Sequence, residues 1–183
     1  MVETKNVRTK ICLVGDGGVG KTSLIGRYVY DIFNDRYLPT IGTKVTRKEL
    51  VLRYPTNNLQ IKMDAMIWDI MGQKLFKSLL HESYFIGARG IIAVCDLTDK
   101  QTLLGLIDWV KSVNEVVGRV PLVVLANKSD LDYNIELSDD EIRAIAKHLK
   151  APYIYTSART GENVADAFVI LAREMIKNQF NLT

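Results

Sequence analysis

The run Gly15-Asp16-Gly17-Gly18-Val19-Gly20-Lys21-Thr22 constrains this chain more than any other stretch. It fits the pattern G-x-x-x-x-G-K-[ST], and its flanks give that pattern mechanical meaning. The preceding Lys10-Ile11-Cys12-Leu13-Val14 is apolar and β-prone, which predicts a buried strand. Leu24, Ile25, Tyr28 and Val29 follow at helical spacing. A strand feeding a glycine loop that opens a helix aims several backbone N–H groups, and the positive end of the helix dipole, at one spot. Glycine is needed there because a Cβ would block close backbone approach and oppose positive φ. Lys21 then reaches the outer phosphates of a nucleotide, and the Thr22 hydroxyl holds a magnesium ion. The competing reading is a glycine-rich turn that matches by accident, and the flanking strand and helix weigh against it.

The chain has 183 residues, within the range of one domain, so residues 1–183 read as a single unit. Formal net charge is +3, and the basic residues are scattered among acidic ones without an Arg/Lys stripe, which argues against nucleic acid. Cys12 and Cys95 each sit in an apolar run, as buried thiols of a reducing compartment do, so the expected location is cytoplasmic. Met1-Val2-Glu3-Thr4-Lys5 has no apolar core for a secretory signal, and no apolar run approaches the ~18 residues of a membrane span. Val2 excludes the myristoylation pattern and Gln179-Phe180-Asn181-Leu182-Thr183 has no prenylatable cysteine, so no lipid anchor is expected.

Residues 31–42 are polar with Pro39 and Gly42, hence a loop. Lys44 to Arg53 and Leu59 to Trp68 alternate around the turn chemistry of Tyr54-Pro55-Thr56-Asn57-Asn58, which predicts an antiparallel hairpin. Strands follow at Gly90–Cys95, Pro121–Ala126 and Pro152–Thr156, and helices at Thr102–Val117, from a Ser138-Asp139-Asp140-Glu141 capping box to His148, and at Val164–Ile176. Apolar strands between amphipathic helices predict an α/β protein with a mostly parallel sheet covered on both faces. Ligands of such sheets bind at the carboxyl ends of the strands.

Chemistry-bearing residues fall at those ends. Asp69-Ile70-Met71-Gly72-Gln73 reads D-x-x-G-Q: an acid able to hold magnesium, a glycine able to bring an N–H to a terminal phosphate, and a glutamine able to orient water. Asn127-Lys128-Ser129-Asp130 reads N-K-x-D, and an aspartate can accept two N–H bonds from guanine that adenine does not offer. At Thr156-Ser157-Ala158-Arg159 a backbone N–H can meet the base carbonyl. Each motif alone is weak; their order on successive strand ends is not.

Together they resemble the guanine-nucleotide-binding domain of the Ras superfamily of small GTPases, over nearly the whole chain. The Rab branch is most similar, through Tyr37-Leu38-Pro39-Thr40-Ile41-Gly42, Trp68-Asp69, Gly90-Ile91-Ile92 and Asp96-Leu97-Thr98-Asp99. The resemblance implies a P-loop NTPase G domain: six strands, one of them an antiparallel edge, with five helices. It implies a slow GTPase that acts as a nucleotide-dependent switch, with GTP or GDP and Mg2+ bound. Gly17, Gly18, Val19, Gly20, Lys21, Thr22 and Ser23 would cradle the phosphates; Thr22, Thr40 and Asp69 would hold the metal; Gly72 and Thr40 would sense the γ-phosphate. Phe33, Tyr37, Asn127, Lys128, Asp130, Ser157, Ala158 and Arg159 would complete the nucleotide pocket. Gln73, with Lys21 and Thr40, would carry hydrolysis. Implied partners are an exchange factor, a GTPase-activating protein and an effector at switch loops 33–43 and 69–85, on a monomer.

The sequence departs from the family pattern in places. The hairpin at Arg53 to Met63 is longer, Met71 and Lys74 stand where alanine and glutamate are usual, Val45 replaces a phenylalanine, and the double-cysteine tail is missing. The last departure leaves two readings: a shortened chain, or an unlipidated prokaryotic or archaeal relative. Two other functions compete with the switch, a guanine-nucleotide-dependent binding module with little or no hydrolysis and a P-loop kinase or ATPase.

Overall fold

The structure is a computed structural model that describes residues 2–36, 38–72 and 81–180, the side chains of residues 81 and 82 excepted. Among the described residues, β1 (Glu3–Val14), α1 (Lys21–Tyr30), β2 (Thr43–Tyr54), β3 (Leu59–Ile70), α2 (His81–Phe85), β4 (Gly90–Asp96), α3 (Lys100–Val117), β5 (Leu122–Asn127), α4 (Asp139–Leu149), β6 (Tyr153–Thr156) and α5 (Val164–Phe180) follow in order. The strands form one sheet in the order β2-β3-β1-β4-β5-β6. Every neighbouring pair is parallel except β2 with β3. Among the described residues this is the six-stranded sheet with one antiparallel edge strand, flanked by five helices, that the resemblance implies.

The sheet divides the core in two. Leu24 and Ile25 of α1 and Phe168, Leu171 and Ile176 of α5 pack with Ile11, Leu13, Ile67, Ile92 and Leu125 on one face. Leu103, Leu106 and Trp109 of α3 and Ile142 of α4 pack with Val14, Ile91, Ala93 and Ala126 on the other. β4 and β5 are buried along their whole length, as strands covered on both sides must be.

The expectation that helices cover both faces fails at β2, β3 and the first half of β1. There Thr4, Asn6, Arg8, Val45, Arg47, Glu49, Val51, Arg53 and Lys62 are exposed, while Leu50, Leu52, Ile61 and Met63 point into the core. The alternation read in the hairpin is the signature of a sheet with one wet face. On that face Asp64 accepts from both Arg8 and Arg47, and the Lys10 ammonium lies 3.5 Å from the centre of the Trp68 ring.

A second correction concerns length. The strand expected at 10–14 begins at Glu3, and it pairs residue for residue with the second strand of the long hairpin, from Glu3↔Leu59 to Leu13↔Asp69. The lengthened hairpin is therefore matched by a lengthened first strand. At its tip Pro55–Asn57 forms a 3-10 turn, and Asn58 takes the left-handed conformation that closes it. α3 and α5 each run a few residues beyond the predicted bounds. The predicted capping box is present, with Ser138 Oγ accepting from the Glu141 N–H and Glu141 Oε2 accepting from the Ser138 N–H. Both cysteines are free and buried, which pushes each thiol pKa up to about 12.

Candidate functional site

Because β1, β3, β4, β5 and β6 are parallel, their carboxyl ends share one edge of the sheet. A cleft of about 730 Å³ opens there, lined by the phosphate loop, the loop before β2 and the turns after β5 and β6. That is within the usual size of a small-molecule site.

At one end of the cleft the glycine loop turns into α1. Gly20 takes φ 99° at the helix N-cap, and a Cβ there would sit 2.4 Å from Asn127 Nδ2. Glycine is demanded both by the left-handed backbone and by the neighbour. α1 has no side-chain cap and no acid in its first turn, so its leading N–H groups and dipole are left without a negative partner from the helix itself. Lys21 is buried, and its ammonium donates to Gly15 O at 2.7 Å and Asp16 O at 2.8 Å. Burial lowers its pKa to about 8; the Asp69 and Asp16 carboxylates oppose that shift.

Thr22, Thr40 and Asp69 come together from three elements. The Thr22 hydroxyl donates to Asp69 Oδ2 at 2.5 Å and lies 2.9 Å from Thr40 Oγ1. Asp69 is 1% exposed and its pKa is raised by burial, with Thr22 and Lys21 pulling the other way. Its Oδ1 accepts no hydrogen bond among the described residues. A buried carboxylate oxygen without a donor is costly, and two hydroxyls beside it complete a set of hard oxygens. That donor set suits magnesium, which takes oxygen ligands and keeps several waters. Gly72 packs directly on the phosphate loop: a Cβ there would fall 2.4 Å from Gly17 N and from the Asp16 carbonyl carbon.

The far end is wired by side chains. Asn127 is fully enclosed; its Nδ2 donates to Val19 O at 2.8 Å, and its Oδ1 accepts from Thr156 Oγ1 at 3.1 Å and the Ala158 N–H at 3.3 Å. It braces the phosphate loop, the end of β6 and the loop that follows. Asp130 Oδ1 accepts from Ser157 Oγ at 2.6 Å, and Ser157 itself is buried behind the cleft. Lys128 has φ 71° and pairs its ammonium with Asp96 while its side chain borders the cleft. Ala158, Arg159, Asp130 and Phe33 also line it, and Phe33 packs on the core as well. Gly17, Gly18 and Ser23 line the opposite end, whereas Val19 is buried beneath the loop. Tyr37, Gln73 and Lys74 lie outside the described residues.

Sequence reasoning missed Arg27. From α1 its Nε and Nη2 donate to Ala158 O at 3.1 Å and Arg159 O at 2.7 Å, fixing the last loop. No motif marks it, because it contacts backbone rather than a patterned side chain.

A parallel sheet, a glycine loop capping α1 and a buried lysine beside a hydroxyl–carboxylate cluster define a nucleotide-binding protein of the P-loop class. The Ras family model matches residues 10–177. Ras-related protein SEC4 of Saccharomyces cerevisiae is 37% identical over 165 residues, covering 90% of this chain and 73% of that protein. Rab-1A of Dictyostelium discoideum is 35% identical over 171 residues, 93% of this chain and 81% of its own. Rab-13 of Rattus norvegicus is 34% identical over 168 residues, with 91% and 79% covered. The chain belongs to the Ras family. It is a Rab-like small GTPase that binds GTP or GDP with Mg2+ and hydrolyses GTP as a nucleotide-dependent switch.

Proposed function

We propose that residues 1–183 form one G domain in which the described cleft holds the nucleotide. Thr22, Thr40 and Asp69 hold magnesium, and Lys21 with residues 17–23 holds the phosphates. The observation that carries this reading is the buried Asp69 Oδ1, without a donor among the described residues, beside the two threonine hydroxyls. Magnesium, when bound, neutralises charge on the outer phosphates. Lys21 adds a desolvated positive charge, and Thr40 and Gly72 tie the loops on either side to the same phosphate. Asp130 reads the guanine edge, while Lys128, Phe33, Ala158 and Arg159 close the pocket around the base. Asn127 belongs to the base end through its brace. Tyr37 and Gln73 are assigned from their motifs, Gln73 as the residue that orients the attacking water.

Loss of the contacts to Thr40 and Gly72 on hydrolysis releases the two switch loops, the segments that an exchange factor, an activating protein and an effector would recognise. No described helix is long and apolar enough to cross a membrane. A cytoplasmic monomer that meets membranes through partners or a lipid, in trafficking as in its Rab relatives, is the role proposed. Single-turnover GTP hydrolysis with magnesium tests the reading. Wild type should hydrolyse slowly, on the order of 10⁻⁴ to 10⁻³ s⁻¹, and Gln73→Leu should bind GTP equally and hydrolyse far less. Equal rates in the two proteins would remove Gln73 from the reaction.

A further inference from the structure

Asp16, inside the phosphate loop, occupies one of the four positions that the motif leaves open. Its side chain nonetheless points away from the cleft and into α3. Trp109 Nε1, itself buried, donates to Asp16 Oδ1 at 2.9 Å across 93 residues of sequence. One helical turn earlier, Gly105 lies under the same carboxylate: a Cβ there would come 3.1 Å from Asp16 Oδ2. Spacing of four residues places Gly105 and Trp109 on one helix face, so the carboxylate rests on a small residue and is gripped by a large one. Glycine in mid-helix costs about 1 kcal/mol relative to alanine, and α3 carries it at the position where alanine would press on Asp16.

The backbone of Asp16 meets the rest of the site. Its carbonyl oxygen accepts from the Lys21 ammonium at 2.8 Å. Its carbonyl carbon and the Gly17 nitrogen form the floor on which Gly72 rests. One peptide is thus held by α3 through a side chain, by Lys21 through a hydrogen bond and by the start of the second switch through contact. We propose that Asp16 and Trp109 are positioning residues for GTP hydrolysis. Through them α3 sets the height of the 16–17 peptide, and with it the places of Lys21 and Gly72 at the phosphate. The inference rests on the phosphate-end reading above. Neither side chain touches the nucleotide in this account, so their effect falls on the hydrolysis step more than on affinity.

Gly105→Ala is the sharpest variant, because it deletes no bond and favours the helix. Single-turnover hydrolysis should slow about tenfold as the carboxylate is displaced by a few tenths of an ångström, while thermal stability holds or rises and nucleotide dissociation changes less than threefold. Trp109→Phe should slow hydrolysis similarly. Asp16→Ala, which removes the oxygen that accepts from Trp109 Nε1, should slow it as well. Unchanged hydrolysis in Gly105→Ala and Trp109→Phe would overturn the proposal, as would rates that merely follow stability in every variant. Lys21→Met measured alongside reports on the phosphate site itself. Retained nucleotide affinity in that variant would count against the site reading rather than the α3 link.

Discussion

At the base end of the cleft Asn127, Asp130 and Ser157 find partners within the chain, whereas at the phosphate end Asp69 Oδ1 is buried without a donor among the described residues and the Lys21 ammonium rests on two carbonyls. The base end is wired by side chains from β5, β6 and α1. The phosphate end is made of backbone, two hydroxyls and buried charge. The first is stabilised by folding alone. The second holds groups whose desolvation is offset only when an anion and a cation arrive, so binding energy concentrates where the chemistry occurs. A switch needs that division: a rigid end that fixes the base, and an end whose loops are ordered by what is bound.

The largest effect is expected at the phosphate end. Lys21→Met should weaken GTP and GDP binding by about 100-fold or more, because a charge-assisted contact to phosphate is lost. The nucleotide-free fold should keep its stability, since an apolar side chain replaces a buried ammonium. Titration calorimetry with a melting curve reads both. A destabilised fold with intact affinity would reverse the assignment.

At the base end, Asp130→Asn should reduce guanine-nucleotide affinity on the order of 100-fold and narrow the margin over ATP, because the carboxylate that accepts from guanine becomes an amide. Competition against labelled GDP checks this. Stability should change little, as an amide oxygen still accepts from Ser157.

The smallest effect lies outside both ends. Glu141 pairs with Lys100 and closes the α4 capping box with Ser138, and these contacts lower its pKa from 4.5 to about 2. A depressed carboxylate stabilises the fold above its unfolded value and loses that contribution as pH falls from 4.5 toward 2. Melting temperatures of Glu141→Gln should show a shallower decline across that window than wild type.

The phosphate end was legible in the sequence because its chemistry is local. Gly15 to Thr22 is one uninterrupted stretch, and backbone groups need glycines at fixed spacing. The base end was legible in its aspartate and in the order of its motifs. Its bracing was not: Arg27 and Ala158 are 131 residues apart, and Asn127 and Val19 108. Nothing in a local pattern announces a side chain that holds a distant carbonyl. A mostly parallel sheet followed from the βα alternation, but the early half of β1 stayed hidden because Lys5 and Thr9, on the inner side of the strand, are polar. The open face of β2 and β3 was written in their alternation, and expecting helices on both sides overrode it.

The most direct test compares Asp69→Asn with Asn127→Ala, each melted without nucleotide in chelator and again with saturating magnesium and GTP. Asp69→Asn should match or exceed wild type without nucleotide, because a buried charge is gone, and should lose most of the gain from magnesium and GTP. Asn127→Ala should lose about 3 kcal/mol without nucleotide, the sum of roughly three buried hydrogen bonds. A nucleotide-free loss in Asp69→Asn as large as in Asn127→Ala, with the magnesium-dependent gain intact, would contradict the division between the two ends.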